Sequence, residues 1–252
     1  MKQFLKTYWK TLLFFTAMGL FGGFCTGIYL LDSYPPEIVQ EIYAQGINDT
    51  LMGIIGAVQY AGYGLFLGVI GILLAKKIGL WKDEISITKQ PLIAAIIVSV
   101  IGGLCLILPD ILFFGKYSQA IMDSYSVKPT IPYMLAAVLY GGVIEEVMLR
   151  LFFMSLITFI LFKLFGKKSE KPSTAIVVSA NVVTALLFAA SHLPTTAATM
   201  GLTPMIVFRC FLLNGTFGLL FGRLYRKHGL RYAMLGHAGA HFISKLIWLL
   251  FV

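Results

Sequence analysis

The stretch PLIAAIIVSVIGGLCLIL at residues 91–108 runs for eighteen residues without a charged side chain. The hydrocarbon core of a bilayer is about 30 Å thick, and a helix needs roughly 20 apolar residues to cross it. The whole chain has this character, because 58% of its 252 residues are hydrophobic and only 12% are charged. A soluble domain has about 25% charged residues. The composition therefore predicts an integral membrane protein.

Six further stretches are long and apolar enough to cross a bilayer as helices. The sequence therefore predicts an all-α polytopic transmembrane helix bundle of seven spans, with eight as the alternative. No internal repeat or linker divides the chain, so residues 1–252 are predicted to form a single membrane domain, with N-terminal helices in residues 1–130. The predicted spans are 11–31, 51–75, 91–114, 131–162, 174–193, 204–224 and 232–252.

The net charge of +9 is distributed unevenly along the chain. Fifteen of the twenty Lys and Arg residues lie in four segments that the predicted spans place on one side of the membrane. These segments are the N-terminus and residues 76–89, 163–171 and 223–231. Cytoplasmic loops carry an excess of Lys and Arg. This pattern predicts a cytoplasmic N-terminus and an external C-terminus. The basic charge thus indicates membrane topology, and no nucleic-acid partner is expected.

The fourth predicted span contains the segment GGVIEEVMLR, with two adjacent carboxylates inside an apolar helix. Glu146 and Arg150 are four residues apart, so they lie on one helix face in the acid-first order that favours an ion pair. Glu145 points about 100° away and has no such partner in its own helix. Ionisable groups inside lipid are rare and usually functional, so Glu145 is a candidate general base. The alternative is that both acids only neutralise Arg150.

Three of the four histidines lie in predicted spans. Phe188 and His192 share a helix face at the end of the fifth span, in the segment FAASH. His237 and His241 are one turn apart in the segment HAGAH, and only small residues separate them. A single intramembrane histidine is more often a packed residue, because an imidazole can bond to a backbone carbonyl. Three such histidines together with two glutamates favour a chemical site.

The depth of the histidines in the bilayer raises a difficulty. At 1.5 Å per residue, His192 lies about 28 Å beyond the start of its span, whereas His237 lies about 9 Å beyond the start of the seventh. Pro194 is expected to end the fifth span, and the uncharged segment 194–204 is expected to dip into the protein and leave His192 deeper. Irregular backbone at that depth is tolerated where it lines a wet cavity. We therefore predict a water-filled polar cavity among spans four to seven.

Other polar and small residues of the spans have simpler interpretations. Asp110 is expected at the membrane interface, toward which Arg209 and Lys245 are expected to extend their charged ends. Gly218 and Gly222 are four residues apart, which predicts a close-packing helix face rather than a ligand site.

Three motifs follow one another in the C-terminal half of the chain. They are EExxxR, FxxxH and HxxxH, formed by Glu145, Glu146, Arg150, Phe188, His192, His237 and His241. In this order and spacing they resemble the CPBP family, the CAAX-protease and bacteriocin-processing group also called Abi proteins. The resemblance covers roughly residues 131–244, so residues 131–252 are interpreted as the CPBP/Abi catalytic core. It implies an intramembrane peptidase, with a bacterial cell membrane as its expected location.

The resemblance implies hydrolysis of a peptide bond in a peptide or membrane-protein substrate. Glu145 and His192 would activate a water molecule. His237 and His241 would stabilise the oxyanion of the tetrahedral intermediate. The supporting residues would be Glu146, Arg150 and Phe188.

The chain departs from the family at one position. The family pattern usually ends HxxxN, and His241 stands where the Asn would be. A neutral imidazole donates one hydrogen bond, as an amide does, so the oxyanion role is retained. Alternatively, His237 and His241 could bind zinc together with His192 and Glu145. We favour a mechanism that requires no cofactor, because the chain has no HExxH motif.

Two other functions remain open at this point. A proton-coupled membrane transporter is one alternative, because buried Glu and His residues also form proton relays. The chain lacks the two-fold internal repetition of many transporters. A non-catalytic Abi-type membrane regulator or bacteriocin immunity protein is the other alternative. The expected partners are the lipid bilayer and a peptide or membrane-protein substrate.

Overall fold

The computed structural model describes residues 2–82, 87–166 and 169–252. These parts of the chain form helices and contain no strand. Seven helical spans in them are long and apolar enough to cross a membrane, which confirms the all-α polytopic fold and the predicted number of spans. Spans 1 to 7 are, in order, Lys2–Ser33, Asp49–Lys77, Lys89–Lys116, Ile131–Phe165, Thr174–Met200, Pro204–His228 and Leu230–Phe251. The protein is therefore an integral multi-pass membrane protein.

Most spans consist of several helical segments. Span 2 contains the α-helices Asp49–Gly62 and Gly68–Lys77 on either side of a π-helical turn, Tyr63–Leu67. Span 3 comprises Lys89–Cys105, Leu108–Leu112 and Phe114–Lys116. Span 5 comprises Thr174–Ser191 and Leu193–Met200. Span 6 comprises Pro204–Cys210, Phe211–Gly215 and Thr216–His228. Two short helices lie in loops, Pro36–Ala44 and Gln119–Asp123.

Span 4 has the least regular backbone of the bundle. Two π-helical segments, Ala136–Ile144 and Val147–Met154, flank the two glutamates, and α-helices Ile131–Leu135 and Ser155–Phe165 complete the span. Wide turns of this kind occur often at functional sites, because they turn side chains away from the regular helical register. The backbone is therefore unusual at the residues that the sequence singles out.

Span 5 continues beyond its predicted end at residue 193. After His192 a second helical segment, Leu193–Met200, extends it. Pro194 lies in the first turn of that segment, where the missing N–H of a proline breaks no helical hydrogen bond. The first α-helix ends at Ser191, before Pro194 as predicted, and the segment expected to dip into the protein is mainly helical rather than irregular. His192 is nevertheless removed from the end of the span, because about 12 Å of helix follows it.

Glycines allow spans 1, 2 and 4 to pack at backbone contact. Gly23 and Gly56 face each other, and a Cβ on either would overlap the other's carbonyl. On a neighbouring face of span 1, a Cβ on Gly22 would lie 2.7 Å from the backbone nitrogen of Tyr140. Close backbone approach maximises van der Waals contact, which drives helix association in lipid. Span 1 therefore holds span 4 in position just before its glutamates.

Spans 5 and 6 pack through the predicted glycine face. A Cβ on Gly218 would lie 3.0 Å from Ala185, and one on Gly222 would overlap the amide of Asn181. The Asn181 amide donates a hydrogen bond of 3.0 Å to the carbonyl of Leu219. The close-packing role predicted for the two glycines is confirmed.

Span 7 lies between spans 3 and 4. A Cβ on Gly142 of span 4 would overlap Ala238, which lies in the HxxxH motif. On the opposite side, Ser99 of span 3 occupies the space beside Gly239 and approaches the carbonyl of Gly236 at 3.3 Å. These small residues bring the EExxxR and HxxxH motifs side by side.

We expect Gly23→Ala to destabilise the protein by about 1–3 kcal/mol, because the new methyl group meets backbone that cannot move aside. Gly62→Ala in span 2 is the matched control, because the nearest neighbouring atom to its Cβ is 4.0 Å away. This second change should stabilise the protein slightly, as alanine does in a helix interior. Thermal unfolding in detergent micelles measures both effects. Equal melting temperatures for the two variants would contradict the packing account.

Candidate active site

A buried charged network joins span 4 to span 7. Glu146 and Arg150 have side-chain exposures of 0% and 1%, and Glu146 Oε2 lies 3.3 Å from Arg150 Nε. The other carboxylate oxygen of Glu146 lies 2.8 Å from Nδ1 of His237. The ion pair expected from the i, i+4 spacing is therefore present. The bond from Glu146 to span 7 is one that spacing within a single helix could not predict.

Arg150 also contacts spans 5 and 6. Its Nη2 donates a hydrogen bond of 3.2 Å to the carbonyl of Gly218. Its guanidinium lies 4.9 Å from the ring centre of Phe188 and 5.6 Å from that of Phe221. Aromatic faces stabilise a desolvated cation. Arg150 thus connects three elements around one buried charge.

His237 is held in a single orientation. Its ring stacks on Phe221 with centroids 4.2 Å apart and on His241 with centroids 4.8 Å apart. A carboxylate paired with a guanidinium accepts hydrogen bonds, so Nδ1 of His237 donates to Glu146. In the neutral ring, Nε2 then carries the lone pair.

Glu145 lies on the other side of His237. Its Oε2 is 3.8 Å from His237 Nε2, and its side chain is 12% exposed. The side chain of Tyr140 faces the same carboxylate. Glu145 therefore has neighbours from its own helix and from span 7. The separation from His237 exceeds the length of a direct hydrogen bond.

His241 lies one turn after His237 and faces Gly141. A Cβ at position 141 would be 3.0 Å from His241 Nε2 and 3.9 Å from Glu145 Oε2. Both groups therefore border the space that a side chain at Gly141 would fill. Nδ1 of His241 is buried without a hydrogen-bond partner among the described residues.

His192 lies against Phe188. Its Nδ1 is 2.8 Å from the carbonyl of Phe188, and the two rings meet edge to face at 4.8 Å. Phe188 also meets the ring of His237 at 5.7 Å, so it contacts both imidazoles. No hydrogen bond links His192 to Glu145 in the part of the chain that the structure covers. The structure thus brings Glu145, His237 and His241 together and adds His192 through Phe188.

Comparison with protein families finds one similarity, in the part of the chain that contains these residues. A family model described as type II CAAX prenyl endopeptidase Rce1-like matches residues 127–243. Residues 127–243, the Rce1-like region, are thus similar to this family. The match contains all three motifs and confirms the resemblance to CAAX proteases. No curated protein and no solved structure matches the chain.

The alternative predicted for the three histidines and Glu145 is a zinc site. Among residues 2–82, 87–166 and 169–252, no group of three or more His, Cys, Asp or Glu side chains has the spacing to hold a metal ion. Nδ1 of His237 and Nδ1 of His192 bond to Glu146 and to a backbone carbonyl, so Nε2 is the ring atom of each that could meet a ligand. The side chains of the described residues are not grouped closely enough to hold a metal ion in this arrangement.

A cavity of about 520 Å³ adjoins the site at His241 and is bordered by the loop at residues 117–130. The residues in its wall do not include Glu145, His192 or His237. Its walls include His241 of span 7, Arg209 of span 6, Thr195 of span 5 and Tyr133 of span 4. A cavity among these spans was predicted, but its walls also include residues of spans 1 and 3, such as Tyr29. The Rce1-like region therefore shares its cavity with the N-terminal helices.

Asp110 and Arg209 form a buried ion pair across spans 3 and 6, beside this cavity. Asp110 is fully buried, and the Arg209 guanidinium contacts both of its oxygens. Tyr125 donates a further hydrogen bond of 2.8 Å to Asp110. Burial and the nearby carboxylate raise the pKa of Tyr125, which keeps its hydroxyl a donor. The sequence did not predict this contact, in which each charge neutralises the other.

We expect Arg150→Met to destabilise the protein by about 3–5 kcal/mol, because Glu146 would remain buried without a cation. Adding Glu146→Gln should recover part of this loss, because the unpaired charge is removed. The measurement is thermal unfolding of the two single variants and the double variant. Arg223→Met, at an exposed position of span 6, is the control and should change little. Additive effects of the two substitutions would contradict the pairing.

Proposed function

We propose that the protein is an intramembrane endopeptidase that hydrolyses a peptide bond in a peptide or membrane protein with a water activated by Glu145. The observation that carries this proposal is the separation of 3.8 Å between Glu145 Oε2 and His237 Nε2. Both residues lie within the region that matches an endopeptidase family. The same region borders a cavity that a peptide could enter.

A single water molecule can hydrogen-bond both atoms, because their separation is too long for a direct hydrogen bond and short enough for a bridge. Glu145 takes a proton from this water while the water oxygen attacks the scissile carbonyl carbon. The proton then passes to the leaving nitrogen as the carbon–nitrogen bond breaks. Nε2 of His237 accepts the second hydrogen bond of the water and fixes its direction. In this proposal no cofactor is required.

The other two histidines have complementary roles. Nε2 of His241 and Oε2 of Glu145 border the same space beside Gly141, so His241 is our candidate donor to the oxyanion. Nε2 of a neutral His237 has no proton to donate when Nδ1 donates to Glu146. We therefore assign His237 to the water rather than to the oxyanion. His192, bound through Nδ1 to the carbonyl of Phe188, keeps Nε2 for the water or the substrate.

Substrates would enter from the side of the bundle opposite the N-terminus. The cavity walls include Asp32 at the end of span 1 and Lys128 in the loop before span 4. The distribution of Lys and Arg favours a cytoplasmic N-terminus. We therefore propose that the cavity opens on the external face of the membrane.

Glu145→Gln should abolish cleavage, with a loss of about 10²–10⁴-fold, because a general base is removed. The melting temperature should change little, since the Glu146–Arg150 pair remains. Quantifying new peptide termini in membranes from cells that express each variant measures the effect. Glu41→Gln, an exposed change in the first loop, is the control. Retained cleavage by the Glu145 variant would remove the assigned base, and proton-coupled uptake without proteolysis would favour a transporter.

His241→Asn should retain cleavage, because an amide can donate to the oxyanion as the imidazole does. His241→Ala should lose about 10²–10³-fold in kcat, the usual effect of removing one oxyanion donor. The two variants are compared in the same cleavage assay, with His228→Ala outside the site as control. Equal activity of the Ala and Asn variants would contradict the role assigned to His241.

A further inference from the structure

Lys245 lies in the wall of the cavity, one helical turn beyond His241. Its Nζ lies 4.4 Å from the ring centre of Tyr133 and 5.4 Å from that of Trp248. Tyr133 in turn stacks on Tyr29 of span 1, with centroids 4.1 Å apart. Aromatic faces attract a cation but supply no negative charge. The ammonium group is thus held at a fixed place and is not neutralised by these rings.

Among the described residues, Lys245 forms no ion pair with a carboxylate. Asp110 is the carboxylate that acts electrostatically on Lys245. Its two oxygens already accept hydrogen bonds from Arg209 and Tyr125. One carboxylate therefore lies near two cations. The other two carboxylates in the cavity wall, Asp32 and Asp123, are exposed and form no ion pair with Lys245. A partly desolvated cation of this kind binds an anion strongly.

We propose that Lys245 binds a carboxylate group of the substrate peptide and so determines which bond is cleaved. The inference rests on the proposed function. Lys245 follows His241 by four residues, a rise of about 6 Å along the helix. An extended peptide covers about 3.3 Å per residue. The carboxylate therefore lies roughly two residues from the scissile bond, as an acidic side chain or as the C-terminus of the substrate.

The test uses three pools of randomised, fluorophore-labelled short peptides. The first pool ends in a free carboxylate and contains no acidic residue; the second ends in an amide and contains one Asp or Glu; the third ends in an amide and has no acid. Binding to Glu145→Gln protein in nanodiscs is followed by fluorescence anisotropy. We expect the first or second pool to bind about 10- to 100-fold more tightly than the third, the effect of one charge-assisted hydrogen bond. The pool that binds identifies the source of the carboxylate.

Lys245→Gln in the same background should abolish this preference, and Lys245→Arg should retain it. Lys116→Gln is the matched control, because it removes an exposed cation outside the cavity wall. Equal binding of the three pools, or an unchanged preference in the Lys245→Gln variant, would overturn the proposal.

Cleavage of the same pools by protein with Glu145 intact separates this inference from the proposed function. Selective binding without cleavage would contradict the peptidase function and support the carboxylate site. Cleavage without preference for a carboxylate would support the function and overturn the role of Lys245.

Discussion

The buried ion pair between Glu146 and Arg150 is the interaction on which the site depends. Neither charge could lie in the hydrocarbon alone, because an unpaired buried charge costs several kcal/mol. The pair leaves one oxygen of Glu146 for His237 and one edge of the guanidinium for the carbonyl of Gly218. A buried pair seldom adds much stability compared with apolar residues. Here it fixes the relative positions of spans 4, 6 and 7.

Close packing of small residues determines where that pair can form. In lipid, helices gain little by burying apolar side chains against each other, so backbone contact supplies the attraction. Gly22 admits the backbone of span 4, and Gly142 admits Ala238 of span 7. Gly141 has a different role, because its missing side chain leaves room for His241 beside Glu145. The packing of span 7 and the position of His241 thus depend on Gly142 and Gly141, two neighbouring glycines of span 4.

Much of the fold could be predicted from composition and spacing. Seven apolar stretches predicted seven spans, and the i, i+4 spacing predicted the Glu146–Arg150 pair. The order of three motifs predicted a resemblance to CAAX proteases, which the family match over residues 127–243 confirms. These features depend on residues close in sequence, or on a pattern already known from other proteins.

Contacts between helices could not be predicted in the same way. Spacing within a helix states which residues share a face, but it does not state which helix that face meets. The bond from Glu146 to His237 and the pair of Asp110 with Arg209 were missed for this reason. An acid and a base at similar depth in two spans were a usable signal for the second pair. The continuation of span 5 past Pro194 was missed because a proline marks the start of a helical segment as well as an end.

The orientation of His237 is the central claim, because it decides which groups face the water. The most direct measurement is the nitrogen NMR spectrum of protein labelled with ¹⁵N-histidine, with the His237 signals assigned from their loss in His237→Gln. The account predicts a proton on Nδ1 and an unprotonated Nε2 in the neutral ring, and a change in this tautomer when Glu146 is replaced by Leu. A proton on Nε2 of the neutral ring, unaffected by the change at Glu146, would contradict it.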